Sequence, residues 1–150
     1  MRRFDTPHQL LDVVGATLGT STAHIIGQER VDQFAAATGD RQWIHVDVER
    51  AKTGPFGSTV AHGYLTLALV PVILDEVFQV DGAVMILNYG LNRVRFPAAV
   101  PVGSELRGTV EVRSAALHGA DVQAELRVTI QVPGAERPCC VAEPVLRYVT

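Results

Sequence analysis

Asp40 and His45 stand five residues apart in the stretch Ala37-Thr38-Gly39-Asp40-Arg41-Gln42-Trp43-Ile44-His45-Val46-Asp47. A carboxylate and an imidazole converging on one water make a proton-transfer site, because both can titrate or be tuned near neutral pH. On a continuous helix that spacing turns the two side chains apart, since neighbours on one face are three or four residues apart. Gly39 changes the geometry. Upstream, Val31, Phe34, Ala35 and Thr38 follow the i, i+3, i+4, i+7 spacing of a helix with one buried stripe. A glycine just after the last periodic residue is the usual left-handed stop. Downstream, Asp47-Val48-Glu49-Arg50-Ala51 opens with an N-cap residue and a carboxylate in the first turn. The segment from Asp40 to His45 is therefore expected to be a non-helical loop that folds the two groups toward one point. A plainer account also fits, in which Asp40 caps a turn and His45 is a partly buried structural histidine.

The elements that must hold this loop follow from the patterning of the rest of the chain. With 150 residues, 47% of them hydrophobic, the sequence is long enough for one domain with a core, or a core plus a dimer interface. Thr6 to Val14 reads as a short helix with Leu10, Leu11 and Val14 turned inward, ending at Gly15. Thr17 to Ile26 reads as a first strand and Gln28 to Thr38 as a helix, and a short helix from Asp47 to Lys52 follows the loop. Thr53-Gly54-Pro55-Phe56-Gly57-Ser58 is a turn-rich connection. Val60 to Leu74 is the most apolar stretch and is apolar all round, as a buried helix or a membrane span is. A span needs roughly 20 uninterrupted apolar residues. Here His62, Gly63, Thr66 and Pro71 interrupt the run, so a core helix is expected, kinked or divided at Pro71.

From residue 83 the period changes to two. Ala83 to Phe96 reads as a long strand bent at Gly90. Leu106, Gly108, Val110 and Val112, then Val122 to Val132, alternate with polar residues on either side of a turn at His118-Gly119-Ala120-Asp121, the pattern of an antiparallel hairpin with one buried face. Cys139 to Val149 is a last strand, in which Pro144 implies a sheet edge or a bulge. The expected fold class is α+β: an antiparallel sheet of about five strands wrapped around one long apolar helix, as a single domain spanning residues 1–150.

Composition excludes several functions. Net charge is −3 with no basic stripe, which argues against a nucleic-acid partner. The N-terminus lacks the apolar run of a signal peptide. The only cysteines, Cys139 and Cys140, are adjacent, a poor geometry for a disulfide and not the spacing of a metal or redox motif, so a reducing, cytoplasmic setting is expected. No cluster of metal ligands stands out, and no metal or redox cofactor is expected.

A second candidate feature heads the apolar stretch. A helix starting at His62-Gly63 offers unpaired N–H groups and a positive dipole end, and a glycine there lets a ligand approach the backbone closely. Aimed at a carbonyl that becomes an oxyanion or enolate, the Gly63 N–H is a stabilising device. The alternative is that Gly63 permits close packing and His62 caps a turn.

Thr38-Gly39-Asp40-Arg41-Gln42-Trp43-Ile44-His45, followed by Ala51, resembles the signature of MaoC-like dehydratases and (R)-specific enoyl-CoA hydratases. Ala61-His62-Gly63 is similar to the second block of that family, and Arg93-Val94-Arg95-Phe96 through Pro101-Val102-Gly103-Ser104 to its third. The resemblance spans essentially the whole chain and extends to the nodulation-protein-N-like branch. It implies a hot-dog fold, a homodimer with a continuous sheet, and an acyl-thioester tunnel at or near the subunit interface. It also implies that Asp40 and His45 are the catalytic pair and that the Gly63 N–H holds the thioester oxygen. One departure is plain: Gln42-Trp43 stands where the family has Asn-Pro, with a longer polar arm and without the fixed φ of proline.

The implied reaction is reversible hydration of a trans-2-enoyl-CoA to an (R)-3-hydroxyacyl-CoA, as in fatty-acid metabolism. Gln42, Trp43, His62, Tyr64, Asn88 and Asn92 are candidate substrate-lining residues, with Tyr89 beside them. Asn88, Tyr89 and Asn92 fit equally as ordinary strand residues or dimer contacts. Arg93 and Arg95 are candidates either for the phosphates of coenzyme A or for pairing with surface carboxylates. Two other functions use the same features: a hot-dog thioesterase, and a non-catalytic acyl-thioester-binding module.

Overall fold

The period-two alternation in the second half of the chain becomes one antiparallel sheet in a computed structural model that describes all 150 residues. The strands are β1 (Arg2–Phe4), β2 (Thr17–Thr20), β3 (His24–Ile25), β4 (Phe78–Val80), β5 (Met85–Arg95), β6 (Glu105–His118), β7 (Asp121–Gln131) and β8 (Cys140–Val149). The helices are α1 (Gln28–Thr38), α2 (Trp43–Val46), α3 (Val48–Ala51), α4 (Gly63–Leu67) and α5 (Val70–Val77). The main sheet has six strands in the order β2-β6-β7-β8-β5, with β3 also on β6, while β1 and β4 form a separate parallel pair.

Alternation decides which face of the sheet is buried. Along β6 and β7, Leu106, Val110, Val112, Val122, Ala124, Leu126, Val128 and Ile130 are wholly inaccessible, and the polar residues between them look outward. Gly119 (φ 68°) makes the tight turn between the two strands, and His118 pairs with Asp121 across it. α4 and α5 fill the concave side. Ile73 of α5 lies so close to β6 that a Cβ at Gly108 would stand 2.7 Å from its side chain. A sheet curled around a central helical segment is the arrangement expected from the patterning, and the hot-dog fold that the family resemblance implies.

Several expectations need correction. The first helix is a 3-10 segment, Pro7–Val13, that buries Leu10 but leaves Val14 exposed. Thr17 to Ile26 is two short strands rather than one, interrupted where Thr22 bonds Glu76 of α5 through its N–H and its hydroxyl, both at 2.9 Å. The apolar stretch is two helices, the second of the two outcomes expected at Pro71, with the join at Ala68 and Leu69. Pro71 sits in the first turn of α5, where its missing N–H costs no bond. Nor is that stretch buried on every side, since Tyr64, Pro71 and Val72 are exposed. Of the two alternatives expected for Pro144, the edge is excluded, because β8 runs between β7 and β5, and the irregularity is found, since the residue sits at a break in the register opposite Leu91. Beyond these, β1 and β4 are strands with no counterpart in the sequence reading. No helix is long and apolar enough to cross a membrane.

Candidate active site

Gly39 ends α1 as its spacing implies, in the left-handed region (φ 82°) with its N–H donating to the Ala35 carbonyl at 2.9 Å. The chain then turns, and Asp40 stands exposed on a short loop, one carboxylate oxygen accepting the Gln42 N–H at 3.4 Å. His45 does not lie in that loop. It belongs to α2, a single turn closed by the Asp47 N–H on the Trp43 carbonyl (2.9 Å), and this turn directs its ring inward until it is buried. Asp47 then caps α3, accepting the Arg50 N–H at 3.0 Å. Trp43 fixes the outer side of the turn. Its ring lies 4.2 Å beneath the Arg50 guanidinium and against Gly54, where a Cβ would stand 3.1 Å from the ring. Gln42 is exposed and precedes α2.

The hydrogen bonds of His45 fix its chemistry. Ring Nδ1 lies 2.6 Å from the Val60 carbonyl, which can only accept, so Nδ1 carries the hydrogen. In the neutral ring Nε2 is then the atom with a lone pair, as a general base requires. The backbone is held as well. The Gln28 amide donates to the His45 carbonyl at 2.8 Å while its Oε1 accepts the hydroxyl of buried Thr59 at 2.6 Å, and the Val60 N–H reaches the Ile44 carbonyl at 3.0 Å. Gln28 thus straps the first turn of α1 to the histidine. Nothing in the sequence singled it out, because a glutamine near a helix start carries no distinctive signal.

His62 is the second unforeseen support. It precedes α4 but makes no side-chain cap. Instead its ring is buried and stacked on His45, with centroids 3.8 Å apart and planes 26° from parallel, and it also packs against Phe34 at 4.9 Å. His62 Nε2 lies 2.9 Å from the Asp40 carbonyl, so that nitrogen is the donor and buried Nδ1 is left without a partner. One side chain therefore ties the backbone of Asp40 to the ring of His45. Donor atoms of Asp40, His45 and His62 all lie within 4.8 Å of one another. These are groups of the kind that ligate a metal ion, a gathering that the spacing of the sequence did not show.

Gly63 opens α4, and its N–H has no acceptor in the chain. A Cβ at this position would come 3.1 Å from the Phe96 ring, so the glycine lets the end of β5 close over the helix start. Tyr64 is exposed and meets the same phenylalanine edge-on at 6.3 Å. Asn88 lines an apolar groove of about 540 Å³ between α5 and strands β4, β5 and β8, together with Val70, Leu74, Phe78, Ile86 and Leu146. Tyr148 closes that groove, and burial pushes its phenol above the ordinary range. Tyr89 lies under the Arg147 guanidinium at 4.6 Å, and Asn92 is exposed and not part of the groove.

The sequence matches the family model described as MaoC like domain over residues 10–132. It is 49% identical over 150 residues to 3-hydroxyacyl-thioester dehydratase Z of Mycobacterium tuberculosis (strain ATCC 25618 / H37Rv), covering 99% of each chain. It is 39% identical to nodulation protein N of Rhizobium leguminosarum bv. viciae, covering 86% of this chain and 82% of that one. Among solved structures, the (R)-hydratase from A. caviae involved in PHA biosynthesis superposes with a TM-score of 0.71 at 27% identity, covering 89% of this chain and 94% of that one. By its sequence and its fold alike, this chain belongs to the MaoC-like dehydratase family.

Proposed function

We propose that the chain catalyses the reversible hydration of a trans-2-enoyl thioester, most simply a coenzyme A ester, to the (R)-3-hydroxyacyl thioester, and that residues 1–150 act as one hydratase domain. The observation that carries this reading is the tautomer of His45: Nδ1–H is committed to Val60, which leaves the lone pair on Nε2, and a ring nitrogen of His45 and a carboxylate oxygen of Asp40 lie within 4.8 Å of each other. A water held by Asp40 and His45 loses a proton to this pair as its oxygen bonds to C3 of the enoyl group. The same pair delivers a proton to C2 on the same face. Between these events negative charge collects on the thioester oxygen, and the Gly63 N–H is the donor for it. Water adds across the double bond, and no electrons leave or enter.

The groove along α5, with mostly hydrophobic walls and a volume that suits a small-molecule site, is the candidate place for an acyl chain, although Asp40, His45 and Gly63 do not line it. One of its walls is β5, which is also the outer strand of the sheet. Met85, Ile86, Leu87, Tyr89 and Leu91 are all exposed along this strand, and a long apolar edge is left open only where something pairs with it. A second copy of the chain, related by a two-fold axis and pairing β5 with β5, completes both the sheet and the groove. Relatives named as a dehydratase and a hydratase are consistent with this chemistry.

The test is turnover of crotonyl-CoA, followed by loss of the enoyl absorbance and by chiral analysis of the product. (R)-3-hydroxybutyryl-CoA is the expected product. Release of free thiol, seen with a thiol-reactive dye, would replace this reading by a thioesterase, and binding without turnover would replace it by a non-catalytic module.

A further inference from the structure

On the outer face of the sheet Arg93, Arg95 and Arg127 surround a shallow depression of about 210 Å³, floored by Val141 and bordered by Glu143. The register explains why they meet. Ala142 and Val128 point into the core, so Val141, Glu143 and Arg127 look outward, and Arg95 sits directly opposite Val141. The charges here are not balanced. Glu143 pairs with Arg127 at 3.0 Å, but Arg93 makes no hydrogen bond or ion pair and Arg95 reaches only its own neighbour's carbonyl, that of Val94, at 2.7 Å. Arg127 Nε is buried with no partner, which marks a donor still lacking its acceptor. In a chain of net charge −3, this local cationic excess needs an explanation.

Its position relative to the catalytic groups supplies one. Arg95 directly precedes Phe96, whose ring meets the Gly63 position at 3.1 Å, and consecutive Cα atoms are about 3.8 Å apart. The arginines thus stand at the end of β5, just beyond the helix start that receives the thioester oxygen. A pantetheine arm leaving that point past the end of the strand would run toward this face. Guanidinium groups are suited to such a group, because their forked N–H donors match phosphate oxygens two at a time.

We infer that Arg93, Arg95 and Arg127 form an anion site for the phosphates of the thioester's coenzyme A, while Glu143 moderates its charge; the inference rests on the hydratase reading for the identity of the substrate. The test is equilibrium binding to the full chain by calorimetry, with coenzyme A, 3′-dephospho-coenzyme A, 4′-phosphopantetheine and pantetheine as probes. Coenzyme A is expected to bind at least about tenfold more tightly than pantetheine, the scale of charge-assisted hydrogen bonds, and the difference should shrink with added salt. In an Arg93→Gln, Arg95→Gln double variant that preference collapses. In Glu143→Gln, which frees Arg127, it increases, a gain that damaged folding cannot imitate. If 4′-phosphopantetheine binds like coenzyme A, the held group is the phosphate next to the arm, which a carrier protein would also present; if only intact coenzyme A binds tightly, it is the 3′-phosphate. Either result supports the site. Equal binding of coenzyme A and pantetheine by the native chain, or an undiminished preference in the double variant, overturns it. Because binding needs no turnover, a chain that holds coenzyme A through these arginines but leaves crotonyl-CoA unhydrated loses the hydratase reading alone.

Discussion

The Nδ1–H of His45 donates to the carbonyl of Val60 across 2.6 Å, and that single bond determines which nitrogen of the ring is free to act as a base. Val60 is itself held, through its N–H, by the carbonyl of Ile44 at 3.0 Å, so the acceptor and the histidine form one small closed unit. Removing either half of the proton-transfer pair is expected to lower kcat on crotonyl-CoA by ~10²–10⁴-fold, the usual contribution of a general acid or base. Asp40→Asn and His45→Ala, compared at matched thermal stability, measure it. Near-native turnover in both would remove these residues from the reaction.

Gln28 tests the support rather than the chemistry. Gln28→Ala strands the His45 carbonyl and the Thr59 hydroxyl, both of which it now satisfies. Urea unfolding should show a loss of about 1–3 kcal/mol, the cost of leaving buried polar groups unpaired. Turnover should fall while the KM for crotonyl-CoA stays close to native if His45 is the base, as proposed, because the loosened group is then not part of the binding surface. A fall in stability with full kcat would mean the strap serves folding only.

Gly108→Ala examines the seat of the central helix. The added methyl would stand 2.7 Å from the Ile73 side chain, so either α5 or the strand must shift. Overfilling a packed core in this way typically costs about 1–3 kcal/mol. Shortening the neighbour in a Gly108→Ala, Ile73→Val double variant should recover part of the loss, measured against the two single variants in one denaturation series.

The two adjacent thiols report on pH. Both are buried; burial pushes Cys139 up to about 11 and Cys140 up to about 12, from an ordinary 9.0. The native protein should therefore resist maleimide at pH 8 and react after denaturation. The sign for stability follows from the raised values. Below pH 9 both states keep their protons and this source adds no pH dependence, while between pH 9 and about 12 the unfolded chain ionises first and stability declines. Cys139→Ser with Cys140→Ala should flatten that alkaline limb.

An assembly through β5 makes a hydrodynamic prediction. Tyr89 and Leu91 are exposed on the outer strand, and charges placed on an open edge discourage strand pairing. Tyr89→Lys with Leu91→Lys should convert a dimer to a monomer in sedimentation velocity. A dimer that survives both substitutions would have its interface on another surface.

What could be read from the residues depended on how local the signal was. The β6–β7 hairpin was legible because strict alternation runs on both sides of a glycine turn, and the end of α1 was legible because Gly39 follows the last member of a periodic stripe. His45 was placed in a loop because α2 is one turn long, too short for any periodicity to register. β1 and β4, at three residues each, fail for the same reason. Pro144 announced an irregularity but not its kind, since a proline fits an edge and a bulge equally well. Gln28 lies 17 residues from the carbonyl it holds and 31 from the hydroxyl it accepts, and His62 is 22 from the carbonyl it reaches; no short-range pattern records such contacts.

β4, which supplies Phe78 and Val80 to the apolar groove, has no strand neighbour except β1. The clasp is completed by Phe4 edge-on to Phe78 at 6.3 Å, by the Asp81 N–H on the Phe4 carbonyl at 2.8 Å, and by the Arg3–Asp81 ion pair at 2.8 Å. The amino terminus is thus a wall fitting, and recombinant practice acts on it directly. An affinity tag spliced ahead of Met1 is joined two residues from Arg3 and three from Phe4, the residues that close the clasp. Under the proposed reading, in which this groove takes the acyl chain, a preparation tagged there should differ from an untagged one in turnover of long-chain esters and match it on crotonyl-CoA.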